Sequence, residues 1–134
     1  MNGWKLYAAV IFIAAAGAVL RFWDIGARPM HTDEAVHAYK LGVFLEQGVY
    51  VYDPADYHGP VIYYLALPGC AFSGVQNYEE LNELLLRTVP AVAGTILVLV
   101  PLFFAKRMNG PAVFLCSLFL AFSPGLVFFS RYYI

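Results

Sequence analysis

The sequence predicts an all-α membrane protein with three transmembrane helices and a helical outer loop between the first and the second. Of the 134 residues, 61% are hydrophobic and 13% are charged, against about 45–50% and about 25% in soluble domains. Three uncharged stretches are also each long enough to span the hydrocarbon of a bilayer, which takes about 20 helical residues. We expect residues 1–134 to form a single membrane domain.

The predicted spans cover approximately residues 4–23, 88–105 and 111–130, and each is rich in Leu, Val, Ala and Phe. A cleaved signal peptide is the competing interpretation of the first stretch. Its apolar run continues through Leu20 with no small-x-small cleavage pattern, so we expect it to remain as a membrane anchor.

Charge is distributed unevenly along the chain. All nine acidic residues lie in the segment 24–87, whereas Lys5, Lys106 and Arg107 have no acid beside them. The positive-inside rule therefore predicts an integral cell-membrane protein with a cytoplasmic N-terminus and an extracytoplasmic segment 24–87. An acidic outer segment argues against nucleic acid and against anionic lipid head groups as its ligands. Membrane lipid and other membrane subunits are the expected partners.

The outer loop begins with a predicted helix over about residues 33–47. Thr32 is the expected N-cap, and Asp33 and Glu34 occupy the first turn, where the helix dipole favours negative charge. Gly48 is a natural C-terminal stop. We expect the helix to lie along the membrane surface with both acids facing water.

A second outer helix is predicted over about residues 60–73, starting at Pro60. The stretch is apolar but is interrupted by Pro and Gly, and making it a span would place acids inside and Lys106-Arg107 outside, against the charge bias. We therefore interpret it as an interfacial or re-entrant helix packed on the protein.

Acids and imidazoles gather in this loop. Glu34 and His37 have the spacing of a dimetal motif, but the sequence has no second copy of it. A single divalent metal held by His31 and His37, with Asp33 or His58, is one alternative, because His and Asp are ordinary zinc ligands. No other cofactor is indicated. The plainer alternative is a capped helix terminus with solvated carboxylates.

Residues 31–39 read HTDEAVHAY, and residues 57–65 read YHGPVIYYL. Followed by RTVP at 87–90, they resemble the first outer loop of the GT-C membrane glycosyltransferases. They are most similar to the protein O-mannosyltransferase and aminoarabinose-transferase relatives, especially the branch often called flippase-activity-associated proteins. In that group an Asp-Glu pair follows the first span, a His-Pro-Pro or His-Gly-Pro motif opens the next helix, and an Arg precedes the second span. FSP at 122–124 and FSRY at 129–132 resemble the segment leading to the next outer patch.

The resemblance implies a partial GT-C fold and an inverting transfer of a sugar from a polyprenyl-phosphate carrier outside the cytoplasm. Such a transfer needs a carboxylate that takes the proton of the acceptor hydroxyl. Asp33 is the candidate base, and Glu34 is expected to orient Asp33, a cation or the acceptor. The candidate ligands of the carrier and its phosphate are Tyr57, His58, Arg87 and Arg131.

Family members are several times longer and have many more spans, whereas this sequence stops at Ile134. We therefore expect the N-terminal part of such an enzyme, inactive alone and completed by further helices. The alternative is a non-catalytic subunit derived from one, which packs in a larger membrane complex through its 11 Phe and 10 Tyr side chains.

Overall fold

The computed structural model describes residues 3–52 and 59–134, and its regular structure is entirely helical in these ranges. The predicted all-α class is therefore confirmed for the described residues. Two 3-10 turns, Tyr78–Glu80 and Val100–Phe104, accompany the α-helices. The helices are α1 (Gly3–Phe22), α2 (Thr32–Gln47), α3 (Val61–Ser73), α4 (Glu83–Leu99), α5 (Gly110–Phe122) and α6 (Pro124–Phe129).

Two helical stretches of the described chain are long and apolar enough to cross a membrane. They are Gly3–Phe22, of 20 residues, and Glu83–Phe104, of 22 residues. These stretches overlap the first and second predicted spans. Their length and apolar composition indicate a membrane protein.

Helix α4 begins five residues before the predicted start of the second span. The side chain of Asn82 accepts a hydrogen bond from the Leu85 amide at 3.0 Å, which caps the helix, and Glu83 lies in the first turn. Because of this earlier start, Arg87 lies inside the helix and not ahead of it. The α-helical hydrogen bonding gives way to a 3-10 turn near Pro101, which has no N–H to donate.

The third predicted span, residues 111–130, consists of two helices and not one. Ser123 has φ −57° and ψ 120°, outside the helical region, because the ring of Pro124 disfavours helical backbone in the residue before it. The 13 residues of α5 alone rise about 20 Å, which is less than the hydrocarbon thickness of about 30 Å.

Internal contacts divide the chain into two compact units, and the single membrane domain stays a prediction. Unit 1 comprises Met1–Asp24 with Pro90–Arg131, and unit 2 comprises Ile25–Val89 with Tyr132–Ile134. Helix α4 contributes its first residues to unit 2 and the rest to unit 1.

In unit 1, α1 packs against α5. A Cβ atom at Gly17 would lie 3.1 Å from the Cβ of Ala121, so the two helices approach closely at this point. Arg21, near the end of α1, is fully buried and donates hydrogen bonds to the carbonyls of Gly17, Leu120 and Ala121. These carbonyls bind Nη1 and Nη2 and so lower the cost of burying this cation, whereas its Nε has no hydrogen-bond partner. The buried side chains of the unit include Leu6, Val10, Ile13, Ala14, Val98, Val113 and Ala121.

In unit 2, the core lies where α2 and α3 meet the start of α4. Its fully or nearly buried side chains come from all three helices and from the last residues of the chain. Gly42 of α2 permits a close approach, because a Cβ there would lie 2.6 Å from the Cβ of Tyr78. The core residues are Ala38, Leu41, Phe44, Tyr63, Ala66, Cys70, Leu86 and Tyr133.

Helix α2 has a different N-cap from the predicted one. His31, and not Thr32, is the cap: its Nδ1 accepts from the Asp33 amide, and the Glu34 side chain accepts from the His31 amide. An imidazole nitrogen here takes the place of the usual hydroxyl in a capping box. The predicted stop at Gly48 is confirmed, since this glycine is left-handed with φ 70°.

Gly94→Ala is expected to destabilise unit 1. The added Cβ would lie 2.8 Å from the Cβ of Ser130 and 2.9 Å from Nε of Arg21. Overpacking costs about 1–3 kcal/mol, which outweighs the gain in helix propensity at a site this crowded. Thermal unfolding in detergent, followed by circular dichroism, should show a lower midpoint. Gly125→Ala is the control, because nothing lies within 4 Å of its added Cβ. Equal midpoints for the two variants would contradict the close packing at Gly94.

Candidate active site

The centre of unit 2 is a buried ion pair between Glu34, in the first turn of α2, and Arg87 of α4. Nε of Arg87 donates to Oε1 of Glu34 at 2.8 Å, and Nη2 donates to Oε2 at 2.7 Å. Each side chain is 1% exposed. Two parallel N–H···O bonds between a guanidinium and a carboxylate fix the orientation of both groups.

The other donors of Arg87 bind the segment that leads into α2. Nη1 donates to the carbonyls of Ile25 at 2.9 Å and Arg28 at 2.8 Å, and Nη2 also donates to the carbonyl of Pro29 at 3.1 Å. A guanidinium has five N–H donors, and all five are used here. In this conformation Arg87 therefore has no donor for a carrier phosphate, the role expected from the resemblance.

The carboxylate of Glu34 also accepts two backbone hydrogen bonds. The amide of His31 donates to Oε2 at 2.9 Å, and the amide of Tyr133 donates to Oε1 at 3.0 Å. Burial alone would raise the pKa of Glu34, but the hydrogen bonds from Arg87, His31 and Tyr133 outweigh it and lower the pKa to about 2. Glu34 is therefore ionised at neutral pH although it is buried.

The expectation that both acids face water is wrong for Glu34 and correct for Asp33. Consecutive helical residues point about 100° apart, so the two carboxylates diverge. Asp33 is 64% exposed, and its Oδ2 lies 3.6 Å from Nδ1 of His31, which is 59% exposed. The capped first turn of α2 therefore presents Asp33 to solvent and fixes Glu34 inside.

His37, predicted as a metal ligand together with His31, is buried one turn further along α2. Its Nδ1 lies 2.9 Å from the hydroxyl of Tyr63, and its ring packs edge-on against Tyr133. Burial and, secondarily, the nearby Tyr50 raise the pKa of Tyr63 to about 12, so this phenol is protonated at neutral pH. Across 3–52 and 59–134, no three side chains of His, Cys, Asp or Glu are grouped so that they could hold a metal ion.

The remaining predicted carrier ligands are Arg131, Tyr57 and His58. Arg131 belongs to unit 1, where its Nη1 donates to the carbonyl of Leu20 at 2.6 Å. Tyr57 and His58 lie outside the described residues. The predicted site residues that the structure does bring together are His31, Asp33, Glu34 and Arg87.

Sequence reasoning missed Arg28, Tyr132 and Tyr133. Arg28 donates through Nη1 to the hydroxyl of Tyr132 at 2.7 Å, and its Cζ lies 4.7 Å from the centre of that ring. Tyr133 is fully buried, and its hydroxyl donates to the carbonyl of Ile62 at 3.3 Å. The Arg-Pro pair ahead of α2 is a weak local signal for Arg28. Tyr132 ends the FSRY segment at 129–132, which the resemblance matches without giving this residue a role. No local pattern marks Tyr133, because its partner Glu34 lies 99 residues earlier in the chain.

Comparisons with protein-family models, with curated proteins and with solved structures each give no match. The candidate site is therefore defined by its own geometry. It consists of an exposed carboxylate, Asp33, at the start of a helix whose first turn is held by the buried pair of Glu34 and Arg87.

Glu34→Gln is expected to destabilise the protein strongly. The substitution keeps the size of the side chain but leaves Arg87 as a buried cation without its carboxylate, which typically costs about 3–5 kcal/mol. Chemical unfolding in detergent measures the loss. Glu79→Gln is the matched control, because Glu79 lies exposed in the 3-10 turn Tyr78–Glu80. Equal stability of the two variants would show that the ion pair of Glu34 and Arg87 does not stabilise the fold.

The same carboxylate should make stability depend on pH in the acid range. The pKa of Glu34 is about 2 in the folded protein and 4.5 ordinarily, so the unfolded chain binds this proton more readily. The stabilisation is complete above about pH 4.5 and is lost as the pH falls toward 2. The difference in unfolding free energy between the wild type and Glu34→Gln should shrink across this window. A constant difference would show that Glu34 does not titrate in this way.

Proposed function

We propose that this chain is the N-terminal part of a GT-C membrane glycosyltransferase that transfers a sugar from a polyprenyl-phosphate carrier on the extracytoplasmic side. Two helices that can cross a membrane and an ordered set of loop motifs support the proposal. In this proposal the apolar segment 110–130 provides a third span despite its break before Pro124. The N-terminus is cytoplasmic, and residues 24–87 are extracytoplasmic, as the distribution of Lys and Arg favours.

The observation that carries the proposal is the placement of Asp33. Its carboxylate is exposed, and it stands on a helix start that is held by the bonds of Glu34 to Arg87 and to the His31 amide. A base held in one position on a rigid element is the arrangement that proton transfer during catalysis favours. The neighbouring imidazole of His31 faces solvent beside it.

The proposed reaction is a single displacement at the anomeric carbon. Asp33 takes the proton of the acceptor hydroxyl as its oxygen attacks that carbon. The bond between the carbon and the carrier phosphate breaks, and the phosphate leaves with the electron pair, so the configuration inverts. The negative charge that develops on the leaving phosphate calls for cationic or N–H donors nearby. A divalent metal held near His31 and Asp33 is an alternative source of the positive charge that would neutralise the phosphate.

In this scheme Glu34 is a positioning residue and does not touch substrate. Its bonds hold the turn that carries Asp33, whereas a role in binding a cation or the acceptor would require it to leave Arg87. Tyr57, His58 and Arg131 stay as proposed ligands of the carrier. Further helices, from the same enzyme or from a partner subunit, would enclose the carrier, because sites for such ligands bury most of the ligand surface. By itself the chain is expected to be inactive.

A second candidate function is that of a non-catalytic subunit in a larger membrane complex. The observation in its favour is the number of large apolar side chains that face outward from unit 1. Helix packing in a membrane uses such surfaces through van der Waals contact. The most exposed of them are Trp4, Phe12, Trp23, Phe103 and Phe119.

Asp33→Asn in the complete or reconstituted enzyme is expected to lower sugar transfer by about 10²–10⁴-fold, because the base is lost. Folding should be little affected, since Asn also tolerates the first turn of a helix and the side chain is exposed. Transfer from a polyprenyl-phosphate-linked sugar to its acceptor is the measured quantity, with circular dichroism as the folding check.

Asp24→Asn is the matched control for this experiment. Asp24 is exposed and has φ 50°, a conformation that Asn also adopts readily, so this variant should keep full activity and stability. Unchanged turnover in Asp33→Asn would remove Asp33 from the mechanism. The absence of any transfer in the fully assembled wild-type complex would favour the non-catalytic subunit.

A further inference from the structure

Arg28 is an exposed cation whose partners do not neutralise it. Its side chain lies over the ring of Tyr132 and donates one hydrogen bond, from Nη1 to the Tyr132 hydroxyl at 2.7 Å. Within residues 3–52 and 59–134, no carboxylate forms an ion pair with it. A guanidinium has five N–H donors, so most of its donors remain for a ligand.

The backbone of Arg28 is held at the end of a helix that can cross a membrane. Its carbonyl accepts from Nη1 of Arg87 at 2.8 Å, and the carbonyl of Pro29 accepts from Nη2 at 3.1 Å. Arg87 is the fifth residue of the stretch Glu83–Phe104, which is long enough to span the bilayer. The backbone that carries the Arg28 guanidinium is thereby held in place by Arg87.

Tyr132 connects this cation to the proposed base. The ring of His31 meets the ring of Tyr132 edge-on, with centroids 6.5 Å apart, and Nδ1 of His31 lies 3.6 Å from the carboxylate of Asp33. Arg28, Tyr132, His31 and Asp33 thus lie next to one another within unit 2, with Tyr132 half-buried and the other three exposed. The cation at one end of this group suits the negative leaving phosphate of the proposed reaction. The carboxylate at the other end suits the proton of the acceptor hydroxyl.

We propose that Arg28, oriented by Tyr132, binds the phosphate of the polyprenyl carrier. The proposal rests on the proposed function, because that function supplies the ligand. It gives Arg28 the part that the resemblance assigns to Arg87, whose five donors are all used inside the protein. The planar guanidinium suits a phosphate because two of its N–H groups bind two phosphate oxygens at once.

The proposal is tested by binding of the full protein, with its partner subunits where they co-purify, to phosphatidylcholine vesicles that contain polyprenyl phosphate. Arg28→Ala should weaken this binding about tenfold or more, because a hydrogen-bonded charge is lost. Arg28→Lys should recover part of the affinity through its charge but not the bidentate contact. Tyr132→Phe should give a smaller loss. Circular dichroism confirms that each variant is folded.

The control variant is Arg107→Ala, since Arg107 is also exposed but lies in unit 1. It should bind the same vesicles as the wild type does. Vesicles with phosphatidylglycerol at the same charge density and competition by inorganic phosphate form the other two arms. The proposal expects weak binding to phosphatidylglycerol and weak competition by inorganic phosphate.

Equal loss of binding to phosphatidylglycerol in Arg28→Ala would overturn the proposal in favour of general anionic-lipid binding. Full competition by inorganic phosphate would overturn it in favour of a site for free phosphate. Unchanged carrier binding in Arg28→Ala, together with loss of transfer in Asp33→Asn, would refute the role of Arg28 and leave the proposed function standing. Carrier binding that depends on Arg28, without transfer by the assembled protein, would support the phosphate site and refute the enzyme.

Discussion

The buried pair of Glu34 and Arg87 is the interaction on which unit 2 depends. It joins the first turn of α2 to the start of α4, and its remaining hydrogen bonds reach the segment before α2 and the amide of Tyr133. A buried ion pair stabilises a fold only when its other lone pairs and protons are also bonded. Here backbone groups meet that condition, so one pair of side chains joins three parts of the chain that are distant in sequence: residues 25–34, the start of α4 and the last residues of the chain.

This constraint decides which groups are left for chemistry. Glu34 and Arg87 are charged but enclosed, and each satisfies the other. Asp33 precedes Glu34 in the sequence, and the carbonyl of Arg28 accepts a hydrogen bond from Arg87. The side chains of both Asp33 and Arg28 are nevertheless exposed. The enclosed charges therefore act as supports, and the exposed ones are available to a ligand. Catalytic groups commonly depend on such supporting residues for their orientation.

Much of the fold could be predicted from the sequence, because the helices and their ends depend mostly on residues close together in the chain. Composition and uncharged stretches locate the apolar helices, and Gly48 marks the end of α2. The exact cap at His31 and the break before Pro124 depend on single side chains, so the predicted bounds were less accurate there. The partner of Glu34 could not be predicted. A capping position favours an acid whether or not it is buried, and Arg87 lies 53 residues away.

Amide hydrogen exchange tests the central place of the ion pair most directly. The amides of His31 and Tyr133 both donate to the carboxylate of Glu34, although they are far apart in sequence. The account predicts that both are strongly protected and that Arg87→Lys, which cannot supply five donors, accelerates the exchange of both together. Exchange of either amide at the rate of an exposed, unbonded amide in the wild type would contradict it.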